Sequence, residues 1–255
     1  MNNILEVKDL CKTYIVNKHQ NNVLKNVSFN VAEGELVAVM GPSGSGKSTL
    51  LYTVSGMDNM TSGQVRFRGN DLSALNKDKL ADLRLDEMGF IFQQMYMLKN
   101  LSLLDNIILP AVRSKKNSAS RKEKQQRGIE LMKLLGIGEI ADNDINEVSG
   151  GQLQRACIAR SMVNSPSMIF ADEPTGALNR TASEEVTDEL VRLNSEGTTV
   201  LLVTHDSHVA AKCDRVLYIM DGNIRDEHVL GKFTNPSSLR YRERDLNNWL
   251  LDLGW

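Results

Sequence analysis

The chain has 255 residues, 41% hydrophobic and 24% charged, the balance of a folded protein and not of a disordered one. Lys and Arg total 30 against 32 Asp and Glu, a net charge of −2, so no basic excess points to nucleic acid. The most apolar runs, Leu36–Met40 and Thr199–Val203, have the length of buried strands and fall far short of the ~20 residues that a bilayer span requires.

The N-terminus passes from two Asn directly into a strand pattern, without the basic and apolar segments of a secretory leader. Ile4–Val16 alternates and carries β-branched residues, so it predicts a strand or hairpin arm. Asn17–Asn22 predicts a polar loop before alternation resumes over Val23–Val31. Leu36–Met40 predicts a buried strand that runs into a glycine-rich turn, with a helix over Thr49–Ser55. Gln64–Arg68 follows as a strand, and Asp71–Glu87 as a helix with Leu72, Leu75, Leu80 and Leu83 at helical spacing. Phe90–Phe92 is a short strand.

From about Leu98 to Asn146 the pattern is mainly helical, with a charged stretch, Ser114–Arg127, leading into Ile129–Leu135. The α/β alternation then resumes. Helices are predicted over Gln152–Val163 and Ala182–Leu193, and strands over Met168–Ala171 and Thr199–Val203. A short helix and a final strand, Arg215–Met220, complete it. Strands alternating with helices imply a mostly parallel sheet. The expected organisation is one domain over residues 1–228, with a helical subdomain inserted at about 98–148, and a tail over 229–255. In that tail Leu246, Trp249, Leu250 and Leu253 form the stripe of an amphipathic helix. Cys11, Cys157 and Cys213 are odd in number and lack metal-ligand spacing, as expected of reduced thiols in a cytosolic chain.

Gly41-Pro42-Ser43-Gly44-Ser45-Gly46-Lys47-Ser48 fits the phosphate-binding loop G-x-x-x-x-G-K-[ST], between a predicted strand and a predicted helix that includes Thr49. Glycines let the backbone N–H groups turn toward a phosphate, and the helix N-terminus adds partial positive charge. Lys47 is expected to reach the β- and γ-phosphates and Ser48 to ligate Mg²⁺. Met168–Ala171 ends in Asp172 and Glu173, suited respectively to the magnesium shell and to the base that orients or deprotonates water. Ser149-Gly150-Gly151-Gln152, directly before a helix, makes a second anion-binding terminus. Two such termini exceed the need of one nucleotide. A head-to-tail dimer, in which this segment caps the γ-phosphate held by the other copy, uses both.

Val148-Ser-Gly-Gly-Gln152 resembles the L-S-G-G-Q signature of ABC transporter ATPase subunits, and the similarity extends from about Leu5 to Ile224. The resemblance implies a P-loop NTPase (RecA-like) α/β fold. Its sheet core is mostly parallel, with an N-terminal antiparallel β subdomain and an inserted helical subdomain. It implies ATP and Mg²⁺ as ligands and a second ATPase copy and an integral permease as partners. The expected location is the cytoplasmic face of a bacterial membrane, with no nucleic-acid role. By the same resemblance Tyr14 stacks on adenine, and Gln93 senses Mg²⁺ or water and links to the permease. Gln94 is adjacent to it in register. His205 contacts the γ-phosphate. Val148 stands for the usual leucine and Asn179 for the usual aspartate. Asp172-Glu-Pro-Thr-Gly-Ala-Leu178 and the Asn17–Asn22 loop resemble the lipoprotein-release, macrolide-export and bacitracin-resistance branch. Gly89-Phe-Ile-Phe-Gln93 and Asn106-Ile-Ile-Leu-Pro110 look most like its antimicrobial-peptide resistance members. The alternatives are the ATPase of a solute importer and that of a non-transport complex transmitting force to the cell envelope.

Overall fold

A computed structural model describes residues 2–255. The chain opens with β1 (Asn3–Val16), β2 (His19–Ala32), β3 (Leu36–Met40), α1 (Lys47–Val54), β4 (Ser62–Phe67) and β5 (Asn70–Asp71). There follow α2 (Lys77–Glu87), β6 (Met88–Ile91), α3 (Leu103–Arg113), α4 (Arg121–Leu134), α5 (Gly150–Met162), β7 (Met168–Asp172) and α6 (Arg180–Ser195). It closes with β8 (Thr199–Val203), α7 (Ser207–Ala210), β9 (Arg215–Met220), β10 (Asn223–Val229) and α8 (Leu239–Asp252). The elements group into two compact units, residues 1–76 with 191–255, and residues 77–190.

The first unit holds an antiparallel sheet in the order β2-β1-β4-β5, and a second run in the order β10-β9-β3-β8. β3 lies parallel to both β8 and β9. All five side chains of β3 and of β8 are buried, which explains their unbroken apolar runs. The predicted Asn17–Asn22 loop is shorter than expected. β2 begins at His19, and the hairpin closes on Asn17 and Lys18, both at positive φ (51° and 66°). A two-residue turn with both residues left-handed matches the strand twist, and Asn tolerates that region well. Arg215–Met220 is not the last strand, because β10 pairs with it antiparallel. The tail packs on its own unit. Leu246 and Leu250 are buried, and the Trp249 indole donates to Asp226 at 2.9 Å. The buried Arg242 donates to the carbonyls of Ala211 (2.7 Å), Cys213 (2.7 Å), Leu230 (2.8 Å) and Gly231 (2.9 Å).

In the second unit β6 and β7 are parallel, with Ile91 opposite Ala171. The Phe90 ring stacks on Phe170 at 5.7 Å. α3 and α4 cross closely at Gly128, where a Cβ would meet Ile108 at 2.6 Å and Leu104 at 2.7 Å. The predicted continuous helix over Asp71–Glu87 is broken. A 3₁₀ turn covers Leu72–Ala74, Leu75 is extended, and α2 starts at Lys77. Asp71 accepts from the Ser73 amide at 2.9 Å, a local cap that competes with helix continuation. Among the described residues no helix is long and apolar enough to cross a membrane. All three cysteines are free.

Candidate active site

Gly41 directly follows β3, and a Cβ there would lie 2.0 Å from the Ile219 carbonyl oxygen, so the loop can pass only as glycine. Gly46 caps α1 in the left-handed region (φ 103°) and provides no side-chain cap. The first-turn amides of α1 therefore depend on backbone turns or on a ligand. Lys47 Nζ donates to the carbonyls of Gly41 (2.7 Å) and Pro42 (3.0 Å), so its ammonium is held inside the loop. Ser45 Oγ is buried with no hydrogen-bond partner. A helix start without a side-chain cap, an enclosed ammonium and an orphaned hydroxyl fit a polyphosphate.

His205 lies at the end of β8. Thr204 N–H donates to the Val39 carbonyl at 3.2 Å, so the histidine leaves the sheet at the same end as the phosphate loop. Tyr14, 37% exposed, donates its hydroxyl to Asp58 at 2.5 Å. Tyr14, residues 41–49 and His205 thus all belong to the first unit.

The second unit carries the remaining residues. Asp172 ends β7 and is 3% exposed. Glu173 turns the chain at φ 46°, a left-handed conformation uncommon for a side chain of this size. Gly176 N–H closes that turn on the Glu173 carbonyl at 3.1 Å. A Cβ on Gly176 would lie 3.6 Å from Gln93 Nε2, so the Gln93 amide sits against the Glu173 turn. The next residues are gripped from α5. Arg160 donates to the Met95 carbonyl at 2.7 Å and to the Tyr96 carbonyl at 2.9 Å.

Ser149 caps α5 through a complete capping box. Its Oγ accepts from the Gln152 amide at 3.3 Å, and Gln152 Oε1 accepts from the Ser149 amide at 2.9 Å. The Gly150 and Gly151 amides head the helix beyond that box. Gly151 packs on the start of α6, with its Cβ position 3.2 Å from Ala182 Cβ. Asn179 caps α6, its Oδ1 accepting from the Ala182 amide at 2.9 Å. Lys12, Asp58, Arg160 and the capping role of Asn179 escaped the sequence reading. Only Asn179, standing before a helical pattern, carried a local signal for its part.

The sequence profile described as "ABC transporter" matches residues 24–176. The chain is 40% identical over 232 residues to the "Uncharacterized ABC transporter ATP-binding protein MJ0796" of Methanocaldococcus jannaschii, covering 90% of this chain and 99% of that one. It is 39% identical over 221 residues to the "Uncharacterized ABC transporter ATP-binding protein YknY" of Bacillus subtilis, covering 87% and 95%. The "Macrolide export ATP-binding/permease protein MacB" of Mannheimia succiniciproducens is 42% identical over 225 residues, and there the chain spans 34% of the relative's length. The dimeric MJ0796 cassette in a post-hydrolysis state bound to ADP and Pi aligns with a TM-score of 0.84 at 38% identity, covering 90% of this chain and all of that one.

Proposed function

The chain belongs to the ABC transporter family, as an ATP-binding ATPase subunit of the lipoprotein-release and macrolide-export branch, and from that premise we propose that it drives an export permease that removes antimicrobial compounds. Residues 41–49 hold the triphosphate of the substrate ATP, and Tyr14 stacks on its adenine. Ser48, Gln93 and Asp172 have the hydroxyl, amide and carboxylate oxygens that a hard cation such as Mg²⁺ prefers. Bound there, the cation would neutralise charge on the β- and γ-phosphates. Glu173 accepts a proton from the attacking water or orients it, and His205 contacts the γ-phosphate. Ser149–Gln152 of a second copy complete each site.

The observation that carries the export reading is the alignment with a protein named for macrolide export that joins ATP-binding and permease functions. Gly89–Gln93 and Asn106–Pro110 favour bacitracin-type peptide resistance within that class. The cassette then works on the cytoplasmic face of a bacterial membrane. Permease docking falls on the exposed apolar residues after Gln93, namely Tyr96 (63% exposed) and Leu98 (47%). Single cysteines at Tyr96, Leu98 and Lys99 are expected to crosslink an integral permease in membranes expressing both proteins. Crosslinks confined to the other ATPase copy would contradict this docking surface.

A further inference from the structure

Lys12 and Tyr14 project from the same face of β1, two residues apart. Lys12 is 7% exposed, an unusual place for an ammonium unless it is paired. It donates to Asp58 Oδ1 at 2.7 Å and to the Asn59 carbonyl at 2.7 Å. Its Nζ also lies over the Tyr14 ring, 4.5 Å from the centroid. The other carboxylate oxygen of Asp58 accepts the Tyr14 hydroxyl at 2.5 Å. One ring face is therefore taken by a cation and the rim by a carboxylate.

The platform is also tied to the phosphate-binding helix through Asp58. Asp58 N–H donates to the Tyr52 carbonyl in the last turn at 3.0 Å. We propose that Lys12 and Asp58 are positioning residues that fix the Tyr14 ring against α1 and so set the place of adenine relative to the phosphates. The proposal rests on the reading that Tyr14 stacks on adenine. With Lys12 behind the ring, only the opposite face can receive the base. The protonation states suit the arrangement. Burial, then the Asp58 carboxylate, raises the Tyr14 phenol, which stays a donor. Burial opposes the charge on Asp58, but the hydrogen bonds from Lys12 and Tyr14 outweigh it and hold its carboxyl below the usual range.

Binding of ATP and of inorganic tripolyphosphate to the full chain, measured by titration calorimetry with Mg²⁺, tests this on four variants. These are Tyr14→Ala, Lys12→Met, Asp58→Asn and the double Lys12→Met/Tyr14→Ala. Tyr14→Ala is expected to weaken ATP about tenfold, since base–aromatic stacking is worth that order. Lys12→Met and Asp58→Asn are expected to weaken ATP about five- to tenfold, and all variants to leave tripolyphosphate unchanged. The double variant should be no weaker than Tyr14→Ala, because Lys12 acts through the ring. If Tyr14→Ala weakens ATP while Lys12→Met and Asp58→Asn match wild type, the positioning role is overturned and stacking stands. If Tyr14→Ala itself leaves ATP unchanged, the stacking reading falls and takes the proposal with it. Equal loss of tripolyphosphate affinity in Lys12→Met and Asp58→Asn would assign the cluster to the shape of the phosphate loop and also overturn it. Asp58→Asn keeps the side-chain volume and serves as the independent arm if Lys12→Met does not fold.

Discussion

The starts of α1 and α5 are both rich in glycine and serine, yet they solve the problem of unpaired helix amides in opposite ways. α1 follows Gly46, which has no side chain to cap it, beside an enclosed Lys47 and an orphaned Ser45 hydroxyl. Its loop is braced by backbone. Gly222 N–H donates to the Ser45 carbonyl at 3.2 Å, and Gly46 leaves its Cβ position 3.0 Å from the Val23 carbonyl. α5 instead satisfies itself through the Ser149–Gln152 capping box and lies at an exposed corner. The first is a built phosphate cradle. The second caps itself, and in the proposed dimer its Gly150 and Gly151 amides meet a phosphate brought by another copy.

The largest expected effect separates holding the nucleotide from cleaving it. Glu173→Gln keeps the turn volume and should bind ATP as wild type does, while turnover falls about 10²–10⁴-fold. A coupled phosphate-release assay beside a binding titration checks this. Turnover within threefold of wild type would remove Glu173 from the chemistry.

Ser149→Ala probes the self-capped start. Loss of an N-cap serine costs about 1 kcal/mol, read as a lower urea midpoint. ATP affinity of dilute, monomeric protein should not change, because the phosphate cradle lies elsewhere in the chain. Turnover at high protein concentration should drop. Weakened ATP binding in the monomer would mean that the two starts are not independent.

The smallest effect concerns Asn179. Its Oδ1 already caps α6, and aspartate caps equally well while adding a charge favourable to the helix dipole, worth about 0.3–1 kcal/mol. Asn179→Asp should fold, bind ATP with similar affinity and alter the rate or the Hill slope. Superimposable rate curves against ATP concentration would show that the asparagine is neutral.

The same contrast marks what the sequence could disclose. The phosphate loop is legible because its spacing is covalent and its neighbours β3 and β8 are fully buried apolar runs. β10 escaped because Asn-Ile-Arg-Asp-Glu-His-Val is a partly exposed edge strand beside β9 and lacks a buried alternating face. The helix predicted over Asp71–Glu87 holds from Lys77 onward, and only its start failed, where the Asp71 cap turns Leu72–Ala74 into a separate 3₁₀ turn. Arg160 and Lys12 could not be found locally. Their partners Met95 and Asp58 lie 65 and 46 residues away in sequence, and only folding brings them into reach.

The central claim, that each cradle is completed by the α5 start of a second copy, can be tested by mixing two inactive proteins. Lys47→Ala disables a cradle, and Ser149→Arg blocks an α5 start with bulk. In a head-to-tail dimer of one copy of each, one site carries both lesions and the other carries neither. Each protein alone should show almost no ATPase activity, and an equimolar mixture should recover up to about a quarter of the wild-type rate, since half of the dimers are mixed and each has one intact site. No recovery, although size-exclusion chromatography shows that mixed dimers form, would contradict completion in trans.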